Sequence, residues 1–225
     1  MPTVLLIGAS RGIGFELARQ YIADGWRVIA TARSDEGLAR LKEMDCETLR
    51  MDVADPASNS GLAWQLDGEK LDLVVYVAGV GDRDTASSPP TREKFDRLMH
   101  ANAMGVMMAL PQMSPMLSEA KGVFAAISSH FGSLTLTDNS MAVLYRMSKA
   151  ALNMYIRCAQ HDFPEIVCVA LHPGWVQTDM GGPQAPLTPA QSASSLRQTL
   201  ERIRTQTRPE DRGAFLNHDG QPLPW

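Results

Sequence analysis

No apolar stretch in this chain approaches the roughly 18 residues that cross a bilayer. The opening residues also lack the charged-then-apolar pattern of a leader, so a cytoplasmic protein with no membrane partner is expected. Cysteine is scarce. Cys46, Cys158 and Cys168 are odd in number and lack the close spacing of metal ligands, so they read as reduced structural thiols. The histidines form no metal-like group either, and no metal is expected. Neither sign of charge dominates: 21 Lys and Arg stand against 25 Asp and Glu, a formal net charge of -4. That excludes the basic footprint of a nucleic-acid binder. Repeats, linkers and low-complexity segments are missing too. Residues 1–225 are therefore expected to close a single α/β domain around one substantial core.

What is present is alternation. Strand-like runs recur at 2–8, 27–33, 47–53, 71–79, 122–129 and 165–172, with a seventh near 213–217, and helical patterns separate them. Such alternation predicts a parallel sheet covered on both faces. Thr91 to Glu119 reads as one long helix with Thr91 as N-cap and Pro111 and Pro115 bending or breaking it. Its many methionines point to core or subunit packing. From Thr178 to Gln191 two glycines and three prolines predict a mobile loop after the sixth strand. Loops at the carboxyl ends of parallel strands line the ligand crevice, which makes this one a candidate substrate lid.

Two motifs carry chemistry. The first runs from Val4 to Gly14, a buried strand entering a glycine-rich turn at Gly8, Ser10, Arg11, Gly12, Ile13 and Gly14. A helical pattern follows and stops at Asp24-Gly25. Glycines there let backbone N–H groups approach a pyrophosphate at the positive end of the helix. The second is Tyr145-Arg146-Met147-Ser148-Lys149. Residues four apart share a helix face, so phenol and ammonium enter the same space. A nearby cation stabilises a phenolate and suits the tyrosine to exchange a proton with a carbonyl or alcohol oxygen.

Together these motifs resemble the short-chain dehydrogenase/reductase family. The resemblance extends in order through Asp52-Val53, Ala78-Gly79, Asn102, Ser129, Tyr145/Lys149 and Pro173-Gly174 to Thr178. The segments Tyr145 to Asn153 and His172 to Gly182 look like the C-factor and sniffer-type carbonyl reductase branch. The resemblance implies a single-domain Rossmann fold, a doubly wound seven-stranded sheet of order 3-2-1-4-5-6-7. It also implies a homodimer or homotetramer, paired through helices near 91–118 and 146–161.

The cofactor is read from the second strand. An acid at its end would hold the ribose of NAD, but Ala32 stands there and Arg33 follows. A guanidinium binds a 2′-phosphate as a fork, and Arg11 adds a second cation. NADP(H) is the expected cofactor. By the resemblance, Asp52 meets the adenine edge with Val53 beside it, and Ala78 and Gly79 line the cofactor loop. Pro173, Gly174, Val176 and Thr178 flank the nicotinamide.

The resemblance also assigns the chemistry. Tyr145 is the acid/base, and Lys149 binds the ribose hydroxyls and depresses the tyrosine pKa. Ser129 hydrogen-bonds the carbonyl oxygen, with Ser128 as its rival, and Asn102 holds a water that relays protons to Lys149. Two departures stand out. Tyr76-Val77 occupies the place of a usual Asn-Asn pair, and the interval from Ser129 to Tyr145 is longer than usual. The extra residues are expected to enlarge a pocket wall. Phe131, Leu134, Met141, Leu144, Trp175 and Met180 are candidate lining, and His130 reads as a loop histidine without a role. The expected function is NADPH-dependent reduction of an aldehyde, ketone or quinone. The alternative is an NADP(H)-binding signalling or regulatory protein of C-factor type.

Overall fold

The computed structural model describes all 225 residues. Seven parallel strands form one sheet in the order β3-β2-β1-β4-β5-β6-β7. They are β1 (Thr3–Ile7), β2 (Arg27–Ala32), β3 (Glu47–Arg50), β4 (Leu73–Tyr76), β5 (Val123–Ile127), β6 (Val167–His172) and β7 (Ala214–Asn217). The helices are α1 (Gly12–Ala23), α2 (Asp35–Lys42), α3 (Pro56–Ser60), α4 (Leu62–Gln65), α5 (Arg92–Met99), α6 (Gly105–Ala120), α7 (Val143–Asp162) and α8 (Pro189–Thr205). The doubly wound arrangement follows from the strands being apolar on both sides. Val4 and Leu6 join the core under α1 and α8, while Leu5 and Ile7 join the core under α6 and α7. Each such side chain contributes about 1.5–3 kcal/mol by leaving water.

The expected strands are all present but shorter, most of all β3 and β4, which end at Arg50 and Tyr76. Past those points the chain turns outward to form the crevice. Asp24 ends α1, and Gly25 takes a left-handed φ of +76°, as the Asp-Gly signal predicts.

The long helix from Thr91 does not hold. Thr91 caps α5 by accepting from the Lys94 N–H at 3.3 Å. The break then comes at a π-helical turn, His100–Met104, and not at the prolines. Pro111 and Pro115 sit inside α6 because the carbonyls they free find other donors. Tyr155 Oη donates to Met107 O at 3.4 Å, and Ser114 Oγ donates to Pro111 O at 3.0 Å.

The loop after β6 is shorter than expected. Thr188 caps α8 in a reciprocal capping box with Gln191, so the helix claims Pro189 to Gln191. Both ends of the loop are joined by Gln177 N–H to Leu187 O at 2.8 Å and Leu187 N–H to Trp175 O at 3.2 Å.

Candidate active site

The glycine turn lies at the carboxyl end of β1. Gly8 has a φ of +90°, and a Cβ there would meet Ala78 at 2.7 Å, so only glycine lets the two loops touch. Arg11 precedes α1 in extended conformation with no side-chain cap, and the first turn holds no acid. The positive end of α1 at Gly12, Ile13 and Gly14 is thus open to an anion. Ser10 O accepts from Arg40 Nη1 at 3.2 Å, which brings a cation that sequence reasoning missed to this edge. Arg33 is exposed just beyond buried Ala32. Arg11, the second cation expected at this edge, pairs with Asp179 of the loop after β6 at 2.7 Å. Asp52 bends its own turn by accepting from the Ala54 N–H at 3.0 Å, and Val53 O accepts from Asn59 Nδ2 at 2.9 Å. Both stand at the end of β3, half-buried.

Across the crevice, α7 presents Tyr145 and Lys149 one turn apart. Lys149 Nζ lies 5.8 Å from the Tyr145 ring centroid and donates to Ile127 O at 2.7 Å. Burial lowers the Lys149 pKa to about 7. Burial pushes the Tyr145 phenol up to about 12, with a hydrogen bond from Ser129 drawing the other way. Desolvation is the largest influence on both groups, and Lys149 Nζ is held by a strand carbonyl. The two candidate serines differ in their surroundings. Ser128 Oγ points into the core and donates to Asn153 Oδ1 at 2.6 Å, whereas Ser129 caps the short 3₁₀ turn His130–Gly132 by accepting from Phe131 N–H at 3.1 Å.

Asn102 sits in the π-turn, fully buried. Its Oδ1 accepts from Val80 N–H at 2.8 Å, and its Nδ2 donates to Val80 O at 2.8 Å and Ser148 Oγ at 2.9 Å. Both amide hydrogens are used, so the side chain clasps the π-turn, the β4 loop and α7 together. Gly79 packs beside it; a Cβ there would meet Asn102 Oδ1 at 3.1 Å and Lys149 Nζ at 3.5 Å. Tyr76 stands at the end of β4, where the resemblance implies an asparagine. Its hydroxyl donates to Ala101 O at 3.1 Å, binding β4 to the same π-turn, while Val77 packs on the core.

The far wall follows β6. Pro173 O accepts from Ser192 Oγ at 2.7 Å, Val176 is buried, and Thr178 Oγ1 accepts from Gly181 N–H at 3.1 Å. Gly174 has a φ of +83° against Leu187. Met180 reaches over the loop after β4, its Sδ lying 3.3 Å from where a Gly81 Cβ would stand. With Asp179 on Arg11, this roofs the crevice from both sides. Of the candidate lining, Leu134, Met141, Trp175 and Met180 are exposed, Phe131 is half-buried, and Leu144 is withdrawn into the core. His130 is not free: its Nδ1 lies 3.2 Å from His172 Nε2, and burial lowers both pKa values, that of His172 to about 3.

A parallel sheet in this order, with a glycine turn facing a serine, a tyrosine and a lysine, defines the Rossmann-type dehydrogenase class. The short chain dehydrogenase family profile matches residues 2–186, and the chain belongs to that family. It is 37% identical to the C-signal of Myxococcus xanthus over 158 residues, 69% of this chain and 93% of that one. The carbonyl reductase Sniffer of D. melanogaster superposes with a TM-score of 0.89 at 27% identity, covering 100% of both chains. A carbonyl reductase of Pseudomonas aeruginosa PAO1, in complex with NADP, superposes with a TM-score of 0.85 at 31% identity, also over 100% of both. No helix is long and apolar enough to cross a membrane.

Proposed function

We propose that this protein is an NADPH-dependent reductase of aldehydes, ketones or quinones. The observation that carries the reading is the convergence of Ser129, Tyr145 and Lys149 on one side of a crevice whose other side is the uncapped end of α1. The residues fit NADP(H). The open helix terminus suits a pyrophosphate, Arg33 and Arg40 suit a 2′-phosphate, and Gly79 adds no side chain beside Lys149. In this reading Asp52 would meet the adenine edge, and Lys149 the nicotinamide ribose hydroxyls. Bound NADPH supplies the hydride.

The chain supplies the rest. Ser129 donates to the carbonyl oxygen as negative charge develops on it. Tyr145, held protonated by burial, passes its proton to that oxygen and leaves a phenolate. The cation of Lys149, when protonated, offsets the cost of that buried anion. Carbonyl, hydride and proton balance to an alcohol. Exposed Leu134, Met141, Trp175 and Met180 at the mouth favour an apolar carbonyl compound. Met107 on α6 and Met147 and Met154 on α7 are exposed on the helices that a second copy is expected to cover.

The similarity to C-signal supports a second reading, a regulatory protein that binds NADP(H) with little turnover. One experiment separates them: NADPH oxidation over a carbonyl panel by wild type and Tyr145→Phe. Turnover lost by at least 100-fold in the variant, with NADPH affinity kept, supports the reductase. Tight NADPH binding with trace turnover in wild type selects the regulatory reading.

A further inference from the structure

The helix that carries Tyr145 cannot cap itself. Its N-cap position is Ala142, which has no side-chain acceptor and takes a left-handed φ of +59°, and its first turn holds no acidic residue. The orphan N–H groups of a helix start need partners. Here they come from the loop after β4. Asp84 O accepts from the Val143 N–H at 3.1 Å, and Asp82 Oδ1 accepts from the Tyr145 N–H itself at 3.1 Å, across 63 residues of sequence. The second carboxylate oxygen, Asp82 Oδ2, is buried with no partner. Core packing alone gives no reason to hold a half-satisfied carboxylate there.

The loop is itself held rigidly. Val80 is clasped on both backbone groups by Asn102, Asp84 is ion-paired with Lys94, and Gly81 lies under Met180. Asp82 therefore reaches α7 from a base fixed to the π-turn. Its anion also complements the positive end of the helix.

We infer that Asp82 is a positioning residue for Tyr145: it replaces the missing N-cap of α7 and fixes the place of the phenol relative to Ser129. The inference rests on the reductase reading of the site. Removing the acceptor frees the first turn of α7, and a displacement of about 1 Å of a reacting group costs on the order of 100-fold in rate.

The test compares wild type, Asp82→Ala and Asp82→Asn, with NADPH and 4-nitrobenzaldehyde as probes. Asp82→Ala is expected to lower kcat by roughly 10- to 100-fold, with KM for NADPH within about twofold. Asp82→Asn keeps an oxygen on the Tyr145 N–H and is expected to recover kcat to within about threefold. Hydrogen exchange gives a readout independent of turnover: the Tyr145 amide should exchange at least tenfold faster in Asp82→Ala, with the rest of α7 unchanged. If Asp82→Ala fails to fold, Asp82→Glu, which displaces the acceptor by one methylene, should show the same kcat loss and local exchange. Unchanged exchange at Tyr145, or kcat equal to wild type in the acceptor-removing variant, overturns the inference. A wild type inactive on every carbonyl defeats the reductase reading instead, and exchange still decides whether Asp82 holds the helix.

Discussion

Lys149 Nζ gives its hydrogen bond to the Ile127 carbonyl at 2.7 Å and stands 5.8 Å from the centre of the Tyr145 ring. The cation is thus moored to the sheet beneath the phenol, and burial lowers its pKa to about 7 from an ordinary value of 10.5. The consequence for stability has a definite sign. Between those two values the unfolded chain keeps the proton and the folded chain releases it, so stability rises with pH. Below about pH 7 both states are protonated, and the cost of burying the ammonium is fully present. The unfolding free energy of wild type should rise relative to that of Lys149→Met between pH 7 and 8.5, by up to about 1.4 kcal/mol per pH unit. Urea midpoints across that range check it. A difference that stays flat means Lys149 keeps an ordinary pKa in its pocket.

We propose that cofactor choice turns on Arg33. Its side chain is exposed beyond β2, whereas Arg11 is engaged with Asp179 and Arg40 shares itself between Glu36 and Ser10 O. A charge-assisted hydrogen bond contributes about 1.5–3 kcal/mol. Arg33→Asp should therefore lower the NADPH/NADH affinity ratio by at least tenfold, since a carboxylate repels a 2′-phosphate and accepts from a ribose hydroxyl. Fluorescence titration with both nucleotides reads the ratio. An unchanged ratio would transfer the role to Arg40.

Most strands are legible in the sequence because buried parallel strands are rich in Val, Ile, Leu and Ala, as in β1, β4, β5 and β6; β3, Glu47–Arg50, carries a charge at each end and is legible only from its place in the alternation. The helix start at Thr91 is legible because a cap is a local hydrogen bond, whereas the start at Thr188 falls inside the stretch that glycines and prolines mark as a loop to Gln191. The site is legible only in its residue types. What holds it together is not: Tyr76 to Ala101, Asp82 to Tyr145 and Arg11 to Asp179 join positions 25, 63 and 168 apart. No periodicity encodes such pairs. The π-turn also leaves no local pattern, and the prolines that suggested a break elsewhere are satisfied by Tyr155 and Ser114. Lys149 shows the same limit. Its spacing from Tyr145 fixes a shared face, but the balance of burial against charge depends on strands far along the chain.

Tyr76 and Gly105 form a matched pair. A Cβ on Gly105 would overlap the Tyr76 hydroxyl and lie 2.8 Å from Val53 O, so the large phenol at the end of β4 requires the missing side chain on α6. Gly105→Ala should destabilise the protein by about 1–3 kcal/mol through overpacking. Tyr76→Phe alone should cost about 1 kcal/mol for the bond to Ala101 O. Combined, the two should cost less than their sum, because the phenylalanine removes one of the two clashes. A double-mutant cycle on denaturation midpoints measures this. Strict additivity would show that the backbone near Val53, not the phenol, excludes a side chain at 105.

The last four residues bear on the substrate side of the crevice. Leu223 N–H donates to Phe215 O at 2.9 Å, and the Trp225 ring rests on Phe215 with centroids 5.6 Å apart. From there Trp225 O accepts from Thr135 N–H at 2.9 Å and from Ser133 Oγ at 2.9 Å. Ser133 is buried in the segment between Ser129 and Tyr145. Its Oγ also accepts from Leu136 N–H at 3.1 Å, and beyond it Leu134 and Met141 are exposed. The tail thus pins the start of that segment to β7. An aromatic pair is worth about 0.5–1.5 kcal/mol beyond its buried area. Trp225→Ala should raise KM for an apolar aldehyde by roughly two- to tenfold, leaving NADPH affinity unchanged because Trp225 touches none of the residues placed at the cofactor. Steady-state kinetics with the aldehyde varied at saturating NADPH gives the answer. A KM equal to wild type would mean that Ser133 holds the segment without the tail; a rise in NADPH Kd of the same size would place the tail on the cofactor side.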